Sequence, residues 1–221
     1  MLENIEAVIF DLDGTLVDSM WMWEEIDIEY LKKHNQQVPA GLQTEIAGMS
    51  FTETSHYFKK RFKIKDSVAV IQSEWIAMAH YNYANKATLK PGVRKFIQYL
   101  QTNNIKLGIA SSNSKDLVEI ALKAHGISDA FTAIHTSCEV ESGKPSPDIY
   151  LLTASKLGVL PNNCLVFEDI PEGILAGKRA AMRTCAIWDK FSISLDSQKR
   201  ELADYYIRDY EEVIEGTYEV L

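Results

Sequence analysis

The chain has 221 residues, 46% of them hydrophobic, enough for one large globular domain or a core with a small accessory unit. Lys and Arg number 23 against 31 Asp and Glu, a formal net charge of −8, which argues against nonspecific binding to nucleic acid and requires local positive charge for any anionic substrate. Cys138, Cys164 and Cys185 are widely spaced and form no zinc pattern with histidine, so reduced thiols and a cytoplasmic setting are expected.

No basic segment followed by a long apolar run marks a signal peptide, and no apolar stretch is long enough to span a bilayer. Ile5 and Ala7 to Phe10 read as a buried parallel strand, because a strand covered on both faces need not alternate. Asp11, Asp13 and Gly14 follow it. From Met20 to about Lys86 the pattern is helical. Ser19 or Asp18 can cap the first helix. Its buried face is expected to carry Trp21, Ile28 and Leu31, with Glu24, Glu25, Asp27 and Glu29 largely elsewhere. Pro39, Gly41 and Gly48 punctuate. A further helix runs from Phe51 toward Phe62, and a longer one starts at Asp66 and Ser67 and passes through Ile71, Trp75, Met78 and Tyr81.

After Pro91 and Gly92 a βαβ rhythm sets in: helix 93–103, strand 105–110, helix 116–125, strand 131–135, helix 148–157, strand 164–167, helix 172–181, strand 184–188 and a short strand 205–207. Residues 191–221 are expected to pack as a last helix and an edge strand. Alternation of this kind predicts an α/β fold with a doubly wound, mostly parallel sheet and right-handed crossovers. Residues 1–16 and 88–221 would form it, and residues 17–87 would form an inserted all-helical domain.

Four places carry candidate chemistry. Asp11 and Asp13 are two apart, so they share a face at the C-terminal end of a strand, where open α/β sheets bind ligands. Such a pair can hold a divalent cation or divide the roles of nucleophile and general acid/base; it can also be a solvated strand end. Ser111, Ser112 and Asn113 end the second core strand, where a hydroxyl and helix-start amides can hold phosphate, though by themselves they read as a helix N-cap. Lys144 sits between Gly143 and Pro145 with Pro147 beyond, a restrained loop; alone it reads as a solvated lysine ahead of a helix. Glu168 and Asp169 end an apolar strand and, with Pro171, equally suit a helix start. The five histidines match no catalytic pattern.

The string Asp11, Leu12, Asp13, Gly14, Thr15, Leu16, Val17, Asp18, Ser19 closely resembles the signature of the haloacid dehalogenase superfamily, whose members are mostly phosphatases. Ser111, the segment Gly143 to Asp148, and Glu168 with Asp169 are similar to that family's remaining motifs and stand in its order. The resemblance implies a Rossmann-like core and a helical cap inserted after the nucleophile. Asp11 would be the nucleophile and Asp13 the general acid/base. Lys144 would neutralise the nucleophile and the phosphate, and Ser111, helped by Ser112 and Asn113, would bind phosphate. Mg²⁺ would be held by Asp11, the backbone carbonyl of Asp13, and Asp169, with Glu168 direct or through water. Ile170 stands where many relatives have Ser.

The expected activity is Mg²⁺-dependent hydrolysis of a small phosphorylated metabolite, a sugar phosphate among the candidates, through an aspartyl-phosphate. A monomer that binds neither nucleic acid nor membrane is expected. Asp13 argues against dehalogenation, and no lysine before Lys59 follows Gly48 to serve phosphonate hydrolysis. Residues 47–51 loosely resemble the specificity loop of β-phosphoglucomutases, the main alternative. Those enzymes carry Arg where Phe51 stands and His where Trp23 stands, so hydrolysis is favoured. A phosphate-binding or phospho-accepting regulatory module is the alternative from another class. Trp21, Trp23, Phe51 and Phe58 are either plain core or the wall of an apolar substrate pocket.

Overall fold

The computed structural model describes residues 1–221. Strands β1 (Ala7–Phe10) and β2 (Val17–Asp18) precede four helices, α1 (Met20–Lys33), α2 (Leu42–Ile46), α3 (Phe51–Arg61) and α4 (Val68–Asn85). Then come β3 (Thr88–Leu89), α5 (Val93–Thr102), β4 (Lys106–Ser111), α6 (Lys115–Ala124), β5 (Ala133–Thr136), α7 (Asp148–Leu157), β6 (Cys164–Glu168), α8 (Pro171–Arg179) and β7 (Arg183–Ile187). The chain ends with α9 (Asp196–Leu202), β8 (Tyr205–Ile207), α10 (Glu211–Glu215) and β9 (Glu219–Val220).

The sheet order is β5-β4-β1-β6-β7-β8-β9, parallel except at the β8–β9 edge. The expected doubly wound parallel sheet is therefore present. The C-terminal segment adds two short helices and an antiparallel edge where one helix and a strand were expected. β1 lies between β4 and β6, and the strand order reverses around it. Both faces of β1 are covered, which is why its sequence does not alternate. Val8 and Phe10 join one apolar cluster and Ala7 and Ile9 the other. On the first face Phe10 stacks on Phe167 with ring centroids 5.3 Å apart, and Phe96 stacks on Tyr210 at 5.3 Å. Burying each such ring contributes about 1.5–3 kcal/mol, so the strand that presents Asp11 is anchored from both sides.

The helices α1 to α4 leave and rejoin the sheet through β2 and β3, which pair antiparallel, Val17 opposite Leu89 and Asp18 opposite Thr88. Trp75 of α4 is the hub of this unit: the rings of Phe58, Tyr30 and Phe51 meet it edge-on at 4.9, 5.6 and 5.7 Å. Ser50 caps α3 in a capping box with Glu53, each side chain accepting from the other's backbone N–H.

In α1 the buried face differs from the sequence expectation. Met22, Ile26, Asp27, Tyr30 and Leu31 are buried, whereas Ile28 is 51% exposed. Periodicity selects the apolar stripe, but α1 is covered on two sides, one by α4 and one by a cavity wall, and Asp27 lies on the latter. Ser19 occupies the N-cap position of α1 without capping it; its hydroxyl donates to Asp13 Oδ1 at 2.5 Å instead. All three cysteines are free, Cys138 exposed and the others buried. No helix is long and apolar enough to cross a membrane.

Candidate active site

The C-terminal ends of β1, β4 and β6 converge at the reversal of strand order, the place where open α/β sheets bind ligands. Asp11 directly follows β1 and its N–H donates to the carbonyl of Phe167 at 3.1 Å, so the neighbouring strand fixes its backbone. Gly14 then turns the chain with φ +77°, and a Cβ there would lie 2.3 Å from Asp169 Oδ2. Only glycine tolerates both the angle and the approach.

Lys144, in the loop before α7, is 4% exposed. Its Nζ donates to Asp11 Oδ1 at 2.6 Å and to Glu168 Oε1 at 2.5 Å. The hydroxyl of Tyr150, in the first turn of α7, also donates to Glu168 Oε1, while Glu168 Oε2 is buried with no partner. Thr15 Oγ1 donates to Asp169 Oδ1 at 3.2 Å. Gly173 in α8 lets Glu168 lie against the helix, since a Cβ there would stand 2.0 Å from the carboxyl carbon.

Carboxylate oxygens of Asp11, Glu168 and Asp169 lie within 4.8 Å of one another. Burial pushes the Asp11 carboxyl well above its ordinary range; Lys144 opposes this, and the charges of Glu168 and Asp169 add to it. Burial, then the neighbouring charge of Glu168, pushes Asp169 up to about 8. Burial lowers the pKa of Lys144, but Asp11 and Glu168 more than offset this and hold it above its usual value. Ionising all three buried carboxylates against one ammonium would leave an excess of negative charge, which is what holds Asp11 and Asp169 toward their neutral forms. An orphaned carboxylate oxygen and an all-oxygen donor set fit a hard divalent cation of the magnesium type.

Asp13 belongs to a different set of contacts. Its Oδ1 accepts from Ser19, from Trp23 Nε1 at 3.3 Å and from the Tyr83 hydroxyl; its Oδ2 accepts from Asn113 Nδ2 at 2.9 Å. Trp23 and Tyr83 come from α1 and α4, so the helical unit reaches the second aspartate directly. The Ser111 hydroxyl is buried and accepts from Asn113 N at 3.1 Å. The carbonyl of Ser112 accepts from Phe51 N at 2.7 Å, which ties α3 to the sheet.

Asp11, Asp13, Ser111, Ser112, Asn113, Lys144 and Asp169 all line one cavity of about 380 Å³, a size suited to a small molecule. Glu168 lies behind Lys144 and is fully buried. Trp23 and Phe51 line the cavity, whereas Phe58 is core and Trp21 turns away to donate to the carbonyl of Asp18. No histidine lines it.

The family model for haloacid dehalogenase-like hydrolases matches residues 8–187. The chain belongs to that family. It is similar to the YhcW protein of Bacillus subtilis, 32% identical over 86% of this chain and 87% of that protein. It is also similar to the phosphorylated carbohydrates phosphatase of Thermotoga maritima, 28% identical over 80% of this chain and 82% of that protein. A solved β-phosphoglucomutase structure from Clostridium difficile shares the fold, with a TM-score of 0.81 over 96% of both chains at 24% identity. The chain is a haloacid dehalogenase-type phosphatase of the β-phosphoglucomutase-like branch.

Several residues of this phosphatase's site carry no distinct signal in the sequence. Tyr83 falls within a long helical run and looks like core, yet its hydroxyl bonds Asp13. Tyr150 is one more apolar position of α7 until its hydroxyl is placed on Glu168. Thr15 was not singled out either, although its place, a hydroxyl directly after Gly14 in a strand-end loop, is a signal that could have found it.

Proposed function

We propose that this phosphatase hydrolyses small phosphorylated metabolites through an aspartyl-phosphate on Asp11, with Mg²⁺ held by Asp11 and Asp169 and with Glu168 direct or through water. The observation that carries this reading is the cluster of three buried carboxylates with a single lysine, opening onto the cavity that also contains Asp13. When bound, Mg²⁺ supplies the positive charge that lets a dianionic phosphate approach a carboxylate. The helical unit, residues 17–87, serves as a cap that selects the leaving group and excludes bulk water.

The residues divide the work as follows. Ser111 and Lys144 hold phosphate oxygens. A carboxylate oxygen of Asp11 attacks phosphorus, the phosphorus–oxygen bond to the leaving alcohol breaks, and Asp13 gives its proton to that alcohol. Asp13, now ionised, takes a proton from water, whose oxygen displaces Asp11 and releases inorganic phosphate. Positioning and charge neutralisation supply most of the rate gain. A mutase would need a second phosphate grip in the cap. Phe51 and Trp23 stand where β-phosphoglucomutases carry that grip and its companion histidine, and Lys144 is the only Lys, Arg or His along the cavity.

The test is magnesium-dependent release of phosphate from p-nitrophenyl phosphate and a panel of sugar phosphates; a flat trace throughout would favour a phosphate-binding module. Binding has its own readout. Mg²⁺ at a hundred times its Kd should stabilise the fold by about 2.7 kcal/mol, roughly 5–10 °C in melting temperature for a chain of this size. Asp169→Asn should abolish most of that shift in a thermal melt, and an unchanged shift would place the cation elsewhere.

Asp13 is positioned from the cap by Tyr83. A hydrogen bond to a charged group is worth about 1.5–3 kcal/mol, so Tyr83→Phe should lower kcat by about tenfold to a hundredfold, with less effect on KM. Steady-state kinetics with unchanged kcat would mean that Ser19 and Asn113 place Asp13 without help from the cap.

A further inference from the structure

The cavity continues beyond the phosphate end along one face of α1. Met20, Trp23, Glu24 and Asp27 stand at i, i+3, i+4 and i+7, and all four line it. Trp23 marks the near end, because its indole N–H reaches Asp13. Asp27 lies one helical turn further, about 5.4 Å along the axis. Gln43 of α2 stands opposite, and its Nε2 donates to Asp27 Oδ2 at 2.8 Å. Oδ1 of Asp27 makes no hydrogen bond within the protein, although the residue is only 6% exposed.

That oxygen is open to the cavity that Asp27 lines, where a ligand hydroxyl or ammonium can donate to it. Burial pushes the Asp27 carboxyl up to about 7, against the hydrogen bond from Gln43, as expected for an acid short of donors. Glu24 adds a second negative charge to the same wall. The only cation in the cavity, Lys144, lies at the phosphate end beside Asp11 and Glu168. Trp23, Phe51 and Trp75 also line the cavity and give it an apolar wall for the carbon skeleton of a ligand.

We infer that Asp27 and Gln43 form the leaving-group subsite: it accepts a hydroxyl- or amino-bearing alcohol with a single phosphate and rejects a second phosphate or a carboxylate at that depth. The inference rests on the phosphatase reading above and specifies its substrate class. The unpartnered Asp27 oxygen takes a donor from the ligand; the free side-chain oxygen of Gln43 accepts one.

The test compares three six-carbon esters at pH 8, where Asp27 is largely ionised: glucitol 6-phosphate, 6-phosphogluconate and fructose 1,6-bisphosphate. The first two differ in whether the far carbon carries a hydroxyl or a carboxylate. Glucitol 6-phosphate should exceed the other two in kcat/KM by at least about a hundredfold. Asp27→Asn should reduce that ratio to less than about tenfold. Gln43→Lys, at an exposed position, should narrow it as well. Equal kcat/KM for the three esters in the wild type, or a proportional change for all three in both variants, would overturn the inference. Turnover of p-nitrophenyl phosphate without turnover of any of the three would overturn it while leaving the hydrolase reading intact. Failure with every ester would remove that reading and the subsite with it.

Discussion

Asp11→Asn should lose at least about 10⁴-fold in turnover, some 5.5 kcal/mol of transition-state stabilisation, while its fold persists. An amide oxygen at Oδ1 still accepts the 2.6 Å hydrogen bond from Lys144 Nζ, so the loop geometry has no reason to change. What disappears is the carboxylate nucleophile. Stability should move the other way. Burial and the nearby Glu168 and Asp169 charges already push the Asp11 carboxyl above its ordinary range, so removing its charge relieves repulsion in a buried cluster. Phosphate release and a thermal melt on the same sample would therefore show an inactive protein at least as stable as the wild type without magnesium. Full activity in this variant would refute the nucleophile assignment. Lost activity with a collapsed melt would show that Asp11 is chiefly structural.

The sheet was legible because its strands are buried on both faces and its helices alternate with them. β8 at Tyr205–Ile207 and α7 at Asp148–Leu157 fall where the pattern places them. The acids and Lys144, ambiguous one by one at strand ends or in a proline-flanked loop, were legible through the resemblance of their motifs to those of the haloacid dehalogenase superfamily. The helical unit was less so. Ile28 is an apolar residue at a plausible core position, but it faces solvent, and Asp27, a charged residue, is buried. One-dimensional hydrophobicity cannot see a cavity that makes burial of a carboxylate tolerable. Tyr83 and Tyr150 were hidden for a related reason: as helix residues they satisfy the apolar pattern, and their function resides in hydroxyls whose partners lie 70 and 18 residues away in sequence.

Lys144→Met tests the electrostatics of the site apart from its catalysis. Lys144 is buried against Asp11 and Glu168, and deleting one partner of a buried ionic cluster costs about 3–5 kcal/mol, because the other charges remain without compensation. The pH dependence has a definite sign. Asp11 and Asp169 have folded-state pKa values above the ordinary 3.8, Asp169 at about 8, so the folded protein binds more protons than the unfolded one across that interval. The stability that these two groups contribute is then fully present below about pH 4 and is lost as the pH rises toward about 8. Removing the lysine raises Asp11 further and steepens this loss. Urea unfolding should show a small deficit in the variant at pH 5 and most of the 3–5 kcal/mol at pH 8. Added magnesium should narrow the deficit at pH 8, since a divalent cation among the same oxygens replaces part of the missing charge. A deficit of equal size at both pH values would trace to packing of the new side chain rather than to the carboxylates. An absent deficit would mean that Asp11 and Glu168 relax into water when the lysine is gone, and the closed, desolvated cluster would not be the state that folds.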